Sequence, residues 1–326
     1  MKETRLSLLR CPVCAELLSL DAHDRSGNEI ISGRLTCTSC GNVFPIRNSI
    51  PRFVEERTYA DSFGLQWNAF KREQLDSWNG SDISRSRVLR ETRSEPEEFT
   101  DKLVLDVGCG AGRFIDAIAD MGCEVIGVDI SSAIDAARDN LQHRENVTLI
   151  QADIFHLPFT SDIFDLVYCI GVIQHTPDPH RAIQGLPHLV RTSGKLAVTI
   201  YERRRFTHLH PKYLLRRITT RRDSRLLLRA IRIGMPAAFL LTEVLFRLPG
   251  LGSLFRRVIP VANYVDESRL STRQRYRWAI LDTFDMFAPA WDEPVTENDV
   301  VAALEGGGLK SIARLPNPGL NLLGWR

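Results

Sequence analysis

Lys102–Phe114 reads KLVLDVGCGAGRF, and its reading decides the fold. An apolar run, Leu103 to Leu105, leads into Asp106; Gly108, Gly110 and Gly112 then fall at every second position, and a helical pattern, FIDAIADM, begins at Phe114. That order predicts a buried strand, a tight glycine turn and the start of a helix. Without Cβ atoms the turn lets a ligand approach the backbone closely, and the first turn of a helix carries N–H groups with no intrahelical partner. Several kinds of nucleotide fold use such a turn, so the runs beyond it must separate them.

Four more apolar runs follow. Cys123–Asp129 (CEVIGVD) ends on an acidic residue placed to accept hydrogen bonds from both hydroxyls of an adenosine ribose. Val147–Asp153 (VTLIQAD), Phe164–His175 (FDLVYCIGVIQH) and Gly194–Tyr201 (GKLAVTIY) come next. The glycine spacing is GxGxG, not the GxGxxG of dinucleotide enzymes, and no GxxxxGK[ST] phosphate loop occurs. On LDVGCGAGRF, GVDIS, QADIFHLPF and GVIQHTPDP, in this order across roughly residues 102–201, the chain resembles the class I S-adenosylmethionine-dependent methyltransferases of the type 11 kind.

The resemblance implies an α/β fold with a Rossmann-like seven-stranded sheet and S-adenosyl-L-methionine as cofactor. It gives Asp106 the cofactor's ammonium and the N–H groups around Gly108, Cys109, Gly110 and Gly112 its methionine carboxylate and sugar edge. Asp129 takes the ribose, Ile130 covers an adenine face, and Asp153 with the Ile154 N–H meets the adenine edge. Ile170 belongs to the same pocket. His175 falls at the lip below the sulfonium, where a histidine can deprotonate a hydroxyl or order the loop, and Tyr201 stands beside it. The absence of an [ND]PP[YF] motif after the fourth strand speaks against an adenine or amide acceptor. The absence of a proline–cysteine pair there speaks against C5 methylation of pyrimidines.

A chain of 326 residues with 44% hydrophobic and 25% charged content has room for a sizeable core, and its net charge of +2 points to no partner class. MKETRLSLLR carries no secretory pattern, and no apolar run reaches the roughly 18 residues of a spanning helix. Seven cysteines in such a chain predict a reducing, cytoplasmic setting. Cys11 and Cys14, then Cys37 and Cys40, form two CxxC knuckles separated by 22 residues. Four thiolates close a tetrahedral shell, which suits structural Zn2+; iron in a rubredoxin-like site shares that ligand set. With GNVFPIRNSIPRFV behind the second knuckle, Leu8–Val54 resembles the small zinc-ribbon activators of tRNA methyltransferases.

Four parts are expected: a zinc ribbon over residues 1–55, a helical cap over 56–100, the sheet domain over 101–201 and 291–326, and a helical insertion over 202–290. In the cap, Phe63, Trp67 and Phe70 share a helical face, either packed on the core or, with Gln66 and Trp67, closing over the methionine end of the cofactor. The insertion is strongly basic at first: fourteen Lys or Arg against three acids over residues 202–257, a local charge of +11. Its stretch SRLLLRAIRIGMPAAFLLTEVLFRLPG is apolar with arginines at one end, and Pro236 is expected to divide it into two helices. A lid with its apolar side on the core, an RNA face and contact with an acidic membrane all fit that composition. The lid is preferred, because RNA contact would interleave aromatics. Asp282, Asp285, Trp291 and Asp292 are candidates for the acceptor pocket. The function expected is methyl transfer to an oxygen of a small or lipid-linked metabolite; an RNA methyltransferase and a non-catalytic scaffold are the alternatives.

Overall fold

The N-terminal sheet is an antiparallel meander, β1 (Leu18–Ser26), β2 (Glu29–Cys37), β3 (Val43–Arg47) and β4 (Ile50–Pro51), in a computed structural model that describes residues 1–55 and 58–326. The expected start of the cap at residue 56 lies outside the described residues. Both cysteine knuckles sit at one end of this sheet, Cys37 closing β2.

The cap contributes α1 (Asp61–Ala69), the single turn α2 (Asp76–Asn79) and α3 (Ile83–Thr92). Then β5 (Leu103–Val107), α4 (Arg113–Ile118), β6 (Glu124–Asp129), α5 (Ala133–Leu141), β7 (Val147–Gln151), β8 (Phe164–Ile170), α6 (Pro179–Gln184) and β9 (Val190–Ile200) alternate as a doubly wound fold. The insertion supplies α7 (Pro211–Thr219), α8 (Ser224–Leu245), α9 (Gly252–Val258) and α10 (Thr272–Phe287). After it, α11 (Glu297–Gly306), β10 (Lys310–Arg314) and β11 (Leu320–Trp325) finish the chain.

The seven strands lie in the order β10-β11-β9-β8-β5-β6-β7, with β5 to β9 parallel and β11 antiparallel to both its neighbours, β9 and β10. This is the Rossmann-like class I methyltransferase sheet that the strand runs imply. Its central strands are apolar on both faces because both are covered. Ile115, Ile118, Ile134 and Leu141 of α4 and α5 cover one face. Ile183 of α6 and Val300 and Leu304 of α11 cover the other, joined by ribbon residues such as Leu9 and Leu35. The order reverses at β5, flanked by β6 and β8, so the crevice opens at the carboxyl ends of these three strands.

The ribbon does not hang free. Arg52 bridges Gln151 in parallel register, and the Phe53 N–H donates to the Gln151 carbonyl at 2.8 Å, so the ribbon continues the large sheet beyond its β7 edge. Arg52 also reaches Asp135 of α5, at 2.6 Å. An edge strand that would otherwise expose unpaired backbone groups is thereby covered.

Two expectations for the insertion are corrected. Pro236 does not divide the apolar stretch: α8 runs through it as one helix. Leu228 and Met235 before the proline and Phe239 after it share a cluster with Ile280, Leu281 and Phe284 of α10 and with Phe70. Burial along both halves thus outweighs the one backbone hydrogen bond that the proline removes. Nor do α7 to α9 turn their apolar side wholly to the core, since Ile233, Leu240 and Val244 of α8 point outward. No helix among the described residues is long and apolar enough to cross a membrane.

Candidate active site

A cavity of about 370 Å³ occupies the crevice at the ends of β5, β6 and β8, within the roughly 300–1,000 Å³ of small-ligand sites. Gly108, Cys109, Gly110, Asp129, Ile130, Ile154 and Ile170 line it, as do Gln66 and Trp67 from α1 and the pair His175 and Tyr201. The opposite wall comes from the insertion, through Tyr264 and through Asp282, Asp285 and Met286 of α10. The basic helices α7 to α9 stand outside that wall.

The glycine turn works differently from its reading. The N–H groups of Gly108 and Cys109 both donate to the Val128 carbonyl (2.7 and 2.9 Å), and that of Gly112 to Cys109. The Gly110 N–H donates to Asp129 Oδ2 at 2.9 Å. Among the described residues only the Ala111 amide in this turn is left without an acceptor. The turn therefore offers close approach more than free donors. Gly110, at φ +54°, faces Trp67, and a Cβ there would come within 3.1 Å of the indole nitrogen. Gly112 is off the wall: a Cβ on it would strike Leu141 at 2.5 Å, so it serves the packing of the turn on α5.

Asp129 is preorganised. Oδ1 accepts the Ser131 N–H and hydroxyl (2.8 and 2.7 Å) while Oδ2 holds Gly110, leaving Oδ2 a lone pair for a ligand. Asp106 is not on the cavity wall. It lies 1% exposed beneath the turn, its Oδ2 has no hydrogen-bond partner, and burial, aided by the Asp129 charge, pushes its carboxyl up to about 8. Asp153 is also off the wall, where it accepts the Phe155 N–H and the Tyr59 hydroxyl. An orphaned buried carboxylate oxygen under a ribose-ready aspartate fits S-adenosylmethionine, whose ammonium would supply the missing partner.

His175 is the most constrained group at the lip. Its Nδ1 lies 3.0 Å from the Trp291 carbonyl, and its ring stands 5.0 Å from that of Phe63 and 5.7 Å from that of Tyr201. A carbonyl only accepts, so Nδ1 carries a proton; in the neutral imidazole Nε2 then keeps the lone pair, with no partner among the described residues. Backbone bonds from Glu293 to Gln174 (2.7 Å) and from Val295 to Tyr201 (3.1 Å) strap the Trp291 segment along the lip. Trp291 and Asp292 do not line the cavity themselves; Asp292 is buried against Lys212 at 2.5 Å.

Arg87 and Arg113 also line the cavity, and the sequence reading missed both. Arg113 donates to Gln74 Oε1 at 2.8 Å and Ser84 Oγ at 2.9 Å; burial draws it down to about 10, which leaves it cationic at neutral pH. Across from it, Gln74 donates to Asp282 and Gln66 to Asp285, each at 3.3 Å. Asp282 also accepts the Tyr264 hydroxyl, yet burial raises its carboxyl to about 6. The only hint of Arg113 in the sequence was its place after the third glycine.

Apart from this cavity, the sulfurs of Cys11, Cys14, Cys37 and Cys40 lie within 4.8 Å of one another, with Cys11–Cys40 at 3.7 Å and Cys14–Cys37 at 3.4 Å. Tetrahedral zinc with Zn–S bonds of about 2.3 Å needs sulfurs roughly 3.8 Å apart, so the donor set fits the metal. The Cys40 and Ser39 backbone amides draw the Cys37 thiol down to about 6, toward the thiolate that a metal requires.

Comparison with known proteins agrees with both halves. A methyltransferase domain family matches residues 105–198, and a Trm112p-like protein family matches residues 2–49. A ubiquinone biosynthesis O-methyltransferase of Coxiella burnetii is 39% identical over 97 residues, 29% of this chain and 42% of that protein. One from Serratia proteamaculans is 35% identical over 97 residues, 29% and 40% of the two chains. The match therefore spans less than half the length of these curated relatives. An O-methyltransferase family protein from Burkholderia thailandensis shares 12% identity at a TM-score of 0.43, over 75% of this chain and 56% of that one. The chain thus joins a Trm112p-like zinc-ribbon domain to a class I methyltransferase domain.

Proposed function

We propose that the protein transfers a methyl group from S-adenosylmethionine to a hydroxyl oxygen of a small or lipid-linked metabolite. The observation that carries this is His175: a histidine at the lip of the cofactor crevice, its proton fixed on Nδ1 by the Trp291 carbonyl and Nε2 left able to accept. The curated relatives matched over the catalytic domain are O-methyltransferases, which supports an oxygen acceptor. The same reading keeps the division into ribbon, cap, sheet domain and insertion set out from the sequence.

Bound in the crevice, S-adenosylmethionine supplies an electrophilic methyl group. Asp129 would hold a ribose hydroxyl through Oδ2, Asp106 the ammonium, and Ile130 and Ile154 the adenine. Arg87 and Arg113 are suited to the carboxylate, a task that the occupied amides of the glycine turn leave open. His175 Nε2 takes the proton of the acceptor hydroxyl, so the oxygen keeps the electron pair that forms the new bond. Tyr201 stays protonated, because burial and the nearby Asp285 and Asp292 raise its phenol well above the usual range, and it can donate to the acceptor. Asp282, Asp285 and Gln66, whose Oε1 lacks a partner, offer polar anchors on the acceptor side. In-line transfer depends largely on such positioning.

The test is a label-transfer assay on fractionated metabolite and lipid extracts. Label should enter an alkali-stable ether of a hydroxyl compound. Transfer to total RNA, with none to the extracts, would overturn the proposal.

A further inference from the structure

A 22-residue helix, α8, is apolar on two sides, and only one of them is covered. Leu228, Met235 and Phe239 pack on α10. On the opposite side Leu226, Ile233, Leu240 and Val244 fall at i, i+7, i+14 and i+18, one stripe, with Ala230 and Ala237 between them. All six are exposed, Ile233 by 82% and Leu240 by 68%. The neighbouring helices add to the uncovered apolar surface through Leu215 and Ile218 of α7 and Leu254 and Val258 of α9.

Arginines border the stripe. At 100° per residue, Arg225 and Arg229 project along one edge of it, while Arg232 beside them lies over the Phe70 ring, 5.4 Å from its centroid. Arg217, Arg221 and Arg222 lie just ahead of the helix, all exposed. None of these six has an acidic partner among the described residues. The nearby Asp223 is taken up as N-cap, accepting the Arg225 and Leu226 N–H groups at 2.9 and 3.0 Å. We infer that the outward face of α8 docks the protein on an anionic membrane surface, the helix lying in the plane of the interface.

The charge decides the occupant. An apolar stripe with cations along its flank matches the boundary between acyl chains and anionic headgroups, and the arginine stems can lie along the leucines while their heads reach phosphate. The 3–4 spacing of the stripe would also suit a helix of a second copy. A second copy, however, would set two segments of local charge +11 against each other. RNA is less well served, because an aliphatic stripe gives bases nothing to stack on. The helix cannot cross the bilayer while one side of it is committed to α10.

Flotation of the full chain with vesicles tests this. Partitioning onto phosphatidylcholine vesicles with about 30% phosphatidylglycerol should exceed that onto phosphatidylcholine alone by roughly tenfold or more. The combined Leu226→Asp, Ile233→Asp and Leu240→Asp variant should lose it, and Ile233→Asp alone should weaken it several-fold. Arg225→Gln with Arg229→Gln should cut anionic partitioning by roughly tenfold and leave the neutral baseline unmoved. Unchanged calorimetric affinity for S-adenosylmethionine identifies each variant as folded. Three results overturn the inference: absence of binding to the anionic vesicles; anionic binding unaltered in folded aspartate variants; or a dimer by sedimentation that those variants dissolve. RNA binding that follows the arginines, with vesicles ignored, overturns it as well.

Discussion

The Nδ1 atom of His175 lies 3.0 Å from the carbonyl oxygen of Trp291, a residue 116 positions further along the chain. A side chain from the end of the parallel sheet is thus oriented by the backbone of the segment that returns from the insertion. Nothing local to GVIQHTPDP sets the tautomer. The bond that fixes it exists only once the insertion has folded back and the Glu293 amide has paired with the Gln174 carbonyl.

Asp129→Ala should weaken S-adenosylmethionine binding on the order of 10- to 10²-fold by calorimetry, since a hydrogen bond to a charged acceptor is worth about 1.5–3 kcal/mol. Asp129→Asn keeps a carbonyl for Gly110 or Ser131 and should lose less. Equal affinity in wild type and Asp129→Ala would remove the ribose role.

Asp106→Asn should stabilise the cofactor-free protein, increasingly with pH. The folded carboxyl titrates near 8 and an unfolded one near about 3.9, so between these values the folded chain holds a proton that the unfolded chain has lost. Stability therefore falls as pH rises through that window. Removing the group should add little at pH 4 and on the order of 1–3 kcal/mol at pH 8, measured by urea unfolding. The same variant should bind the cofactor more weakly. A stability gain independent of pH would show that the carboxyl is not titrating there.

Purified protein should carry one zinc per chain by elemental analysis, without the visible absorption of an iron–thiolate site. Cys37→Ser should lose the metal and unfold the ribbon. Because the ribbon covers the β7 edge through Phe53 and Gln151, the variant should also aggregate more readily. Retained zinc in a folded Cys37→Ser chain would exclude the four-sulfur site.

The central sheet was legible from residue order: five apolar runs, acidic residues at strand ends and a glycine turn leave few topologies. The cysteine knuckles were as plain, because ligand spacing is local. Periodicity, however, names the residues that share a face and not the neighbour that face meets. Gly112 reads like Gly108 and Gly110 yet packs on Leu141. Arg113 looks like an ordinary first-turn residue until Gln74 and Ser84 draw it beside the cavity. The wall that α10 supplies rests on contacts about two hundred residues apart in sequence, Gln66 of α1 with Asp285 and Gln74 of the loop after α1 with Asp282. In α8 the sequence is apolar on both sides, so which one faces outward is decided only by where α10 lies.

The most direct measurement is single-turnover methyl transfer by wild type and His175→Ala to the labelled hydroxyl compound isolated from extracts, with cofactor affinity followed by calorimetry. We expect the variant to keep its S-adenosylmethionine affinity within about twofold and to lose roughly 10²- to 10⁴-fold in rate, the range of a positioned general base. A His175→Ala enzyme of undiminished rate would contradict the assignment.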